Sequence, residues 1–303
     1  MTSPRNRTVV LNDAQRAAYA ARCLTADGPV ADARDRVICG DCLQVLPYLP
    51  SASVDLLIAD PPYNLDKTFG SERFRRMAAE EYAAYTAAWV EACLPLLKPD
   101  ASVYVCGDWR CGGVLESVLS RHFHIRNRIT WQREKGRAAS GNFKSVSEDI
   151  WYACLSDTPV FHADAVRHRK RVTAPYRVNG TPRDWEQTPD GRFRDTGASN
   201  FWDDITVPYW SMPENTSHPT QKPEKLLAKL ILASSNAGDT VLDPFLGSGS
   251  TAVTAKKLGR HFVGIECDPD YCALAQYRLE RADTDARIQG YADGVFYPRN
   301  SVE

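Results

Sequence analysis

The sequence predicts an α/β fold built on a parallel sheet with helices on both faces, and three observations point there. From residue 37 onward, short apolar runs rich in β-branched residues alternate with amphipathic stretches of helical period. Two of the runs lead into turns made of Asp, Pro and Gly, at the strand ends where open α/β sheets hold their ligands. The alternation breaks once, from about residue 157 to 217, and then resumes, as an insertion into one core would make it do.

In chain order, residues 1–34 form an N-terminal helical extension, where Asn12 followed by Gln15 spells a capping box ahead of an Ala-rich run reaching Leu24. Residues 35–156 carry strands over 37–39, 54–59 and 102–106. Between the last two, a helix over 80–97 places Tyr82, Tyr85, Trp89 and Leu96 on or near one face and is stopped by Pro99. That aromatic stripe reads as core packing rather than a ligand box. Strands over 125–131 and 149–155 complete the sheet's edge around a polar segment, 133–147. Residues 157–217 are rich in Pro, Trp, Arg and turn residues and show neither period, which marks an inserted region. In 218–303 the alternation returns. Pro223 opens a helix with Leu226, Leu227, Leu230 and Ile231 on its buried face and Lys222, Lys225 and Lys229 elsewhere. A strand at 240–242, a Gly-rich turn, a helix through Leu258, a strand at 262–265 and a helix from Pro269 follow.

Composition narrows the class. A chain of 303 residues is long enough for a sizeable core, and 43% hydrophobic with 25% charged residues exclude disordered and fibrous proteins. The first ten residues lack the apolar segment of a signal peptide, and no apolar run approaches the roughly 20 residues that span a bilayer. A cytoplasmic protein without membrane contact is expected. Nine cysteines are too sparse for a disulfide scaffold, and Cys39 with Cys42 has no second ligand pair, so no metal site is expected. The net charge of −1 hides an uneven distribution: residues 121–195 hold 15 Lys or Arg against 9 Asp or Glu, leaving −7 on the remainder. Such a basic stretch is either a polyanion-binding surface or a set of solvated faces.

Two motifs carry chemistry. Asp243-Pro244-Phe245-Leu246-Gly247-Ser248-Gly249-Ser250-Thr251 lies between an expected strand and an expected helix. Its glycines let a ligand approach the backbone, and the amides at the helix start favour polar or negatively charged groups. Glu266 ends the next strand, 17 residues past Gly249, a distance that suits a bidentate grip on ribose hydroxyls. Turn and acid together describe a cofactor containing a nucleoside; a tight turn without a ligand is the alternative. The third glycine of a dinucleotide fingerprint and a P-loop lysine are both missing.

The second motif, Asp60-Pro61-Pro62-Tyr63, follows the strand at 54–59. Its prolines fix φ and remove two amide donors, leaving the Pro61 carbonyl rigidly aimed. A carboxylate beside a fixed carbonyl is a pure acceptor pair that can take both hydrogens of an exocyclic amine, while Tyr63 offers a flat face for a heteroaromatic ring. A Pro-stiffened turn with a helix-capping Asp is the alternative.

Together these signatures resemble the amino-group DNA methyltransferases of permuted, β-type order, in which the DPPY motif precedes the target-recognition region and the FxGxG motif comes last. The resemblance covers residues 37–277 and rests on Gly40-Asp41, Asp60 to Asn64, His218-Pro219-Thr220-Gln221-Lys222-Pro223, the Asp243 turn and Glu266. It implies a Rossmann-like S-adenosylmethionine-dependent methyltransferase fold, circularly permuted. Residues 35–156 become its catalytic half, 157–217 its target-recognition region and 218–303 its cofactor-binding half. By the same resemblance, Asp243, Phe245, Gly247 and Gly249 border S-adenosylmethionine, Glu266 holds the ribose and Asp41 lies near the adenine. Thr220 and Lys222 lie beside the methionine moiety or help close that side, and Asp60, Pro61, Pro62 and Tyr63 form the catalytic set.

The implied reaction is site-specific methylation of the N6 amine of a flipped adenine in double-stranded DNA. N4 of cytosine is the first alternative and a non-catalytic DNA-binding subunit the second. In the family, Asp opening the motif leans towards adenine and Ser towards cytosine. The Pro-Cys dipeptide of a C5-cytosine mechanism is not present. Phosphate contacts are expected from Arg73 and Arg75 in the loop 65–76, and from Arg167, Arg169, Lys170 and Arg171, with Arg177 nearby. Trp185, Phe201, Trp202 and Trp210 either meet bases or form the region's small core. A homodimer and a cognate restriction endonuclease remain open as partners.

Overall fold

The computed structural model describes residues 5–69, 72–137 and 141–298, leaving aside the side chains of 68, 69, 72, 73 and 134–137. Eight strands form the central sheet: β1 (Arg36–Cys39), β2 (Val54–Ala59), β3 (Leu97–Gly107), β4 (His124–Arg137), β5 (Ser145–Cys154), β6 (Phe201–Trp202), β7 (Thr240–Asp243) and β8 (His261–Glu266). Their order is β1-β8-β7-β2-β3-β5-β4-β6. The pairs from β1 to β3 are all parallel, β5 lies antiparallel to both β3 and β4, and β6 is parallel to β4. The expected parallel sheet is therefore mixed at its far edge.

From Leu56 to Ala59 of β2, successive residues feed opposite cores, which is why that part of its sequence is an apolar run rather than an alternation. Leu57 and Ala59 pack with Trp89 and Leu115, whereas Leu56 and Ile58 pack with Leu226 and Leu230. The first core belongs to α2 (Cys42–Val45), α3 (Ala79–Cys93) and α4 (Gly112–Leu119). The second belongs to α5 (Glu224–Ser234), α6 (Ser250–Lys257) and α7 (Pro269–Ala282). The remaining helix, α1 (Asp13–Ala20), has its capping box formed, with Asn12 Oδ1 accepting from the Gln15 N–H at 2.9 Å and Gln15 Oε1 from the Asn12 N–H at 3.0 Å. It rests on α7, where Tyr19 meets Tyr277 edge to face at 5.4 Å.

Three expectations are corrected. The helix expected over 80–97 ends at Cys93, because Pro95 opens a 3₁₀ turn at Leu94–Leu96 and its ring cannot follow an α-helical carbonyl. Pro99 lies instead in the exposed first residues of β3, where a missing N–H is tolerated. Residues 157–217 are not irregular: Glu186–Thr188, Gly191–Thr196 and Arg167–Arg171 form a small sheet, joined by Val295–Phe296 and Tyr291–Ala292 from the C-terminal segment. The third concerns α5, which is buried along its whole length, Lys225 and Lys229 included.

Both lysines turn to Asp204, which lies just after β6. Lys229 Nζ reaches its two oxygens at 2.8 and 2.9 Å, and Lys225 Nζ reaches Oδ2 at 2.9 Å. Lys229 also bonds His168 Nε2, and Lys225 the carbonyl of Tyr297. Two ammonium groups thus tie the inserted region and the C-terminal segment to one helix of the core. Asp204→Ala leaves both charges without their counter-ion, and unfolding in urea should show a loss of roughly 3–5 kcal/mol. A loss under about 1 kcal/mol would mean that the cluster is solvated.

Candidate active site

The parallel pairing of β7 with β2 sets Leu242 opposite Leu57, so the two motif-bearing turns leave the sheet side by side. After β2 the chain is held in three places. The Tyr82 hydroxyl donates to the Pro62 carbonyl at 3.0 Å, and the Asn64 side chain exchanges two hydrogen bonds with the Met77 backbone, at 2.9 and 2.7 Å. Between the turns lies a cavity of about 310 Å³, within the range of small-molecule sites. Asp41, Asp60, Tyr63, Thr220, Phe245 and Glu266 are on its wall.

Lys222 forms the centre of a buried charge cluster at the Asp60 end of the cavity. Its buried ammonium lies 2.5 Å from Asp60 Oδ2, 3.2 Å from the Tyr63 hydroxyl and 3.3 Å from Glu148 Oε2. Tyr63 in turn donates to Glu148 Oε2 at 3.1 Å, and Arg133 holds Glu148 Oε1. Asp60 Oδ1, also buried, has no hydrogen-bond partner among the described residues. Burial raises the Asp60 carboxyl above its usual pKa, and the Lys222 charge opposes that rise. Burial would also raise Glu148, but Lys222 and Arg133 hold it below the ordinary value.

On the other side, the turn after β7 follows the shape its glycines allow. Gly247 has φ +54°, donates its N–H to Glu266 Oε2 at 2.7 Å, and would bring a Cβ within 3.0 Å of His218 Nε2. Burial pushes His218 down to about 3, so the ring is neutral. Phe245 turns its edge to Trp89 at 5.3 Å. From behind, Arg278 of α7 donates to the Ser248 carbonyl at 2.8 Å and the Ser250 hydroxyl at 3.0 Å, fixing the turn to the core.

The expected site residues divide accordingly. Asp60, Pro61, Pro62, Tyr63, Asp41, Thr220, Lys222, Phe245, Gly247 and Glu266 come together around the cavity. Asp41 also caps α2 by accepting from the Leu43 N–H at 2.9 Å. Asp243 and Gly249 are not on the wall. Asp243 accepts from the Phe245 N–H at 2.9 Å, and its carboxyl is pushed up to about 7 by burial. Gly249, at φ +86°, is where α6 meets α7: a Cβ would lie 2.7 Å from that of Ala275. Lys222 is on the wall, yet its ammonium faces Asp60, Tyr63 and Glu148.

Glu148 and Arg133 escaped the sequence reading, whose only hint was an acidic residue at the head of an apolar strand.

Among the basic positions, Arg167 pairs with Asp164 at 2.7 Å, and Arg169 with Asp195 and Glu186 at 2.9 Å each. Arg75, Lys170, Arg171 and Arg177 are exposed, and the Arg73 side chain lies outside the described residues. Trp185 and Trp202 are buried, whereas Phe201 and Trp210 are exposed.

A parallel sheet with a nucleoside-type turn and an acceptor-lined motif at one crevice defines an S-adenosylmethionine-dependent amino-methyltransferase. The chain belongs to the DNA methylase family of N6 and N4 methyltransferases, whose model matches residues 54–277. It is 34% identical over 255 residues to the DNA adenine methyltransferase YhdJ of Escherichia coli strain K12, covering 81% of this chain and 83% of that protein. With the type II methyltransferase M.HpaI of Haemophilus parainfluenzae it shares 31% identity over 247 residues, covering 81% and 74%. Its fold resembles that of M1.HpyAVI in complex with S-adenosylmethionine, with TM-score 0.55 and 22% identity over 80% of this chain and 98% of the other. No helix among the described residues is long and apolar enough to cross a membrane.

The cofactor is S-adenosylmethionine, and a cavity of small-molecule size with Asp41, Phe245, Gly247 and Glu266 on its wall fits it. Glu266→Ala releases the Gly247 N–H and removes the acid from the wall. Calorimetric titration with S-adenosylmethionine should show affinity falling roughly 10- to 100-fold, the worth of a hydrogen bond to a charged group. Unchanged affinity would place the cofactor elsewhere.

Proposed function

We propose that the protein methylates the N6 amine of an adenine rotated out of duplex DNA, at a specific site. The observation carrying this reading is Asp60 on the wall of the cavity, a carboxylate held by Lys222 beside Tyr63. A carboxylate lining a crevice has accepting capacity that a donor supplied by substrate can use. Pro61 lies on the same wall, and the Tyr63 ring is held by its hydroxyl, so on this reading the Pro61 carbonyl is the second acceptor for the amine and Tyr63 its stacking face. Adenine is favoured over cytosine because Asp opens the motif and because the relative YhdJ is named an adenine methyltransferase.

An aromatic amine is a weak nucleophile because its lone pair is delocalised into the ring. Asp60 and the Pro61 carbonyl, each accepting one N–H, favour the pyramidal amine and free that lone pair. Bound S-adenosylmethionine supplies an electrophilic methyl group on a sulfonium. Once methylated, the amine nitrogen would be acidic enough to give up a proton, which the Asp60 carboxylate accepting its N–H would take. Tyr63 stacking, together with these hydrogen bonds, offsets the few kcal/mol of unstacking the base.

The remaining roles follow the same reading. Glu266 holds the ribose, Asp41 lies near the adenine, and Thr220, Phe245 and Gly247 border the cofactor, with Asp243 and Gly249 shaping the turn from behind. Residues 157–217 recognise the target, with exposed Arg75, Lys170 and Arg171 meeting phosphates and Phe201 and Trp210 able to meet bases. Incubation with S-adenosylmethionine and unmethylated genomic DNA, followed by mass spectrometry of the nucleosides, should yield N6-methyladenine. N4-methylcytosine would overturn the base assignment, and no modified base would overturn the reading. Asp60→Ala should abolish methylation and leave cofactor affinity within about threefold; equal loss of both would place Asp60 in the cofactor pocket instead.

A further inference from the structure

We propose that Lys222 and Glu148 are positioning residues, with Lys222 fixing the Asp60 carboxylate through Oδ2, and Glu148 fixing Lys222 and the Tyr63 ring. This rests on the reading of Asp60 as the amine acceptor. A lysine ammonium has three N–H donors and no acceptor. Here Asp60, Tyr63 and Glu148 offer one oxygen each, at 2.5, 3.2 and 3.3 Å. No donor is left over for the cofactor. Glu148 is equally committed: Oε2 takes the Tyr63 proton and the ammonium, while Oε1 takes Arg133.

The consequence is an acceptor of fixed orientation and charge. An unrestrained aspartate rotates about its side-chain bonds. Held at Oδ2 by the ammonium, Asp60 keeps one orientation. Its charge state depends on the same contact. Burial, Glu148 on β5 and the neighbouring Asp243 on β7 and Cys106 on β3 all disfavour the carboxylate. Lys222, the Tyr63 hydroxyl and the nearby Lys67 favour it. A protonated Asp60 would carry a donor where the amine needs an acceptor, so removing Lys222 disables the site in a pH-dependent way. The sign is fixed. Without the ammonium, the folded-state pKa of Asp60 rises, and activity appears only as the pH climbs through that new value. Removing the Glu148 charge as well lowers it again.

The experiment compares wild type, Lys222→Met, Glu148→Gln and the double variant. Tritiated methyl transfer from S-adenosylmethionine to DNA is measured under single turnover from about pH 6 to 9.5, and calorimetry gives the affinity for S-adenosylhomocysteine. Wild type should be flat above neutral pH. Lys222→Met should lose roughly tenfold in rate for every unit by which the Asp60 pKa exceeds the assay pH, and recover towards alkaline pH. The double variant should move that rise to lower pH, while inhibitor affinity stays within about threefold throughout. A depressed but flat profile for Lys222→Met, or an inhibitor affinity weakened tenfold or more, overturns the proposal; the latter would return Lys222 to the cofactor. Should Lys222→Met show no cooperative melt, Glu148→Gln decides: a rate reduced about tenfold with unchanged inhibitor affinity supports the assignment, and an unchanged rate overturns it. Because the label is counted in DNA whichever base carries it, wild type failing to transfer label refutes the functional reading itself, whereas wild type succeeding with pH-independent variants refutes only this inference.

Discussion

The site depends on one strand pairing, β7 against β2. These strands lie about 185 residues apart in the chain, yet Val241 faces Leu56 and Leu242 faces Leu57. Asp55 secures the start of the pairing, accepting the Thr240 N–H at 2.9 Å and the Lys98 ammonium at 2.7 Å. Without this contact the half bearing the glycine turn and the half bearing Asp60 share no sheet. With it, the sheet continues from β2 to β3 on one side and from β7 to β8 on the other. The crevice opens where the two directions diverge, as expected for a ligand site in an open α/β sheet. Nothing in the contact requires a particular chain order, so a permuted sequence reaches the same crevice.

Much of this was legible in the sequence for a simple reason: the parallel strands are buried on both faces and carry short apolar runs, and their turns use residues chosen for φ or for lost donors. The Asn12–Gln15 cap, the strand at Val54–Ala59 and the helix after Pro223 are local, and local signals suffice for them. What was missed is tertiary. Pro99 looked like the helix stop because composition cannot say that Pro95 had already ended it. Lys225 and Lys229 were placed away from the core because lysine is rarely buried; only Asp204, some twenty residues earlier, makes their burial tolerable. Gly249 reads as a ligand glycine, but the group pressing on it is Ala275. The short strands around Arg167–Arg171 pair with a segment more than a hundred residues later, beyond any periodicity analysis.

Three buried lysines lie along one line. Lys222 precedes α5, and Lys225 and Lys229 follow at helical spacing. The first serves Asp60 and Glu148 in the crevice, and the other two serve Asp204 at the root of the inserted region. A buried ion pair is weak evidence of stability, since desolvation consumes most of the attraction. Its contribution is definition of geometry: a charge inside the protein tolerates few alternative partners. In this chain one helix carries that definition to two places, so the orientation of the inserted region and that of the Asp60 carboxylate are fixed by the same rigid element.

The polarity of the crevice explains why an amine, and not a carbonyl, belongs there. Two prolines remove the amide donors at the end of β2, and Lys222 spends its hydrogens on Asp60, Tyr63 and Glu148. On the proposed reading, that wall meets a base with accepting oxygen. Thymine and the O6 edge of guanine would meet acceptor with acceptor, leaving both unpaired in a buried place at a cost of about 1–3 kcal/mol per group. Adenine and cytosine present an N–H pair and pay nothing of the kind. Selection between amine-bearing and carbonyl-bearing bases therefore follows from hydrogen-bond polarity alone, while the choice within the amine-bearing pair falls to ring size and to the space above Tyr63.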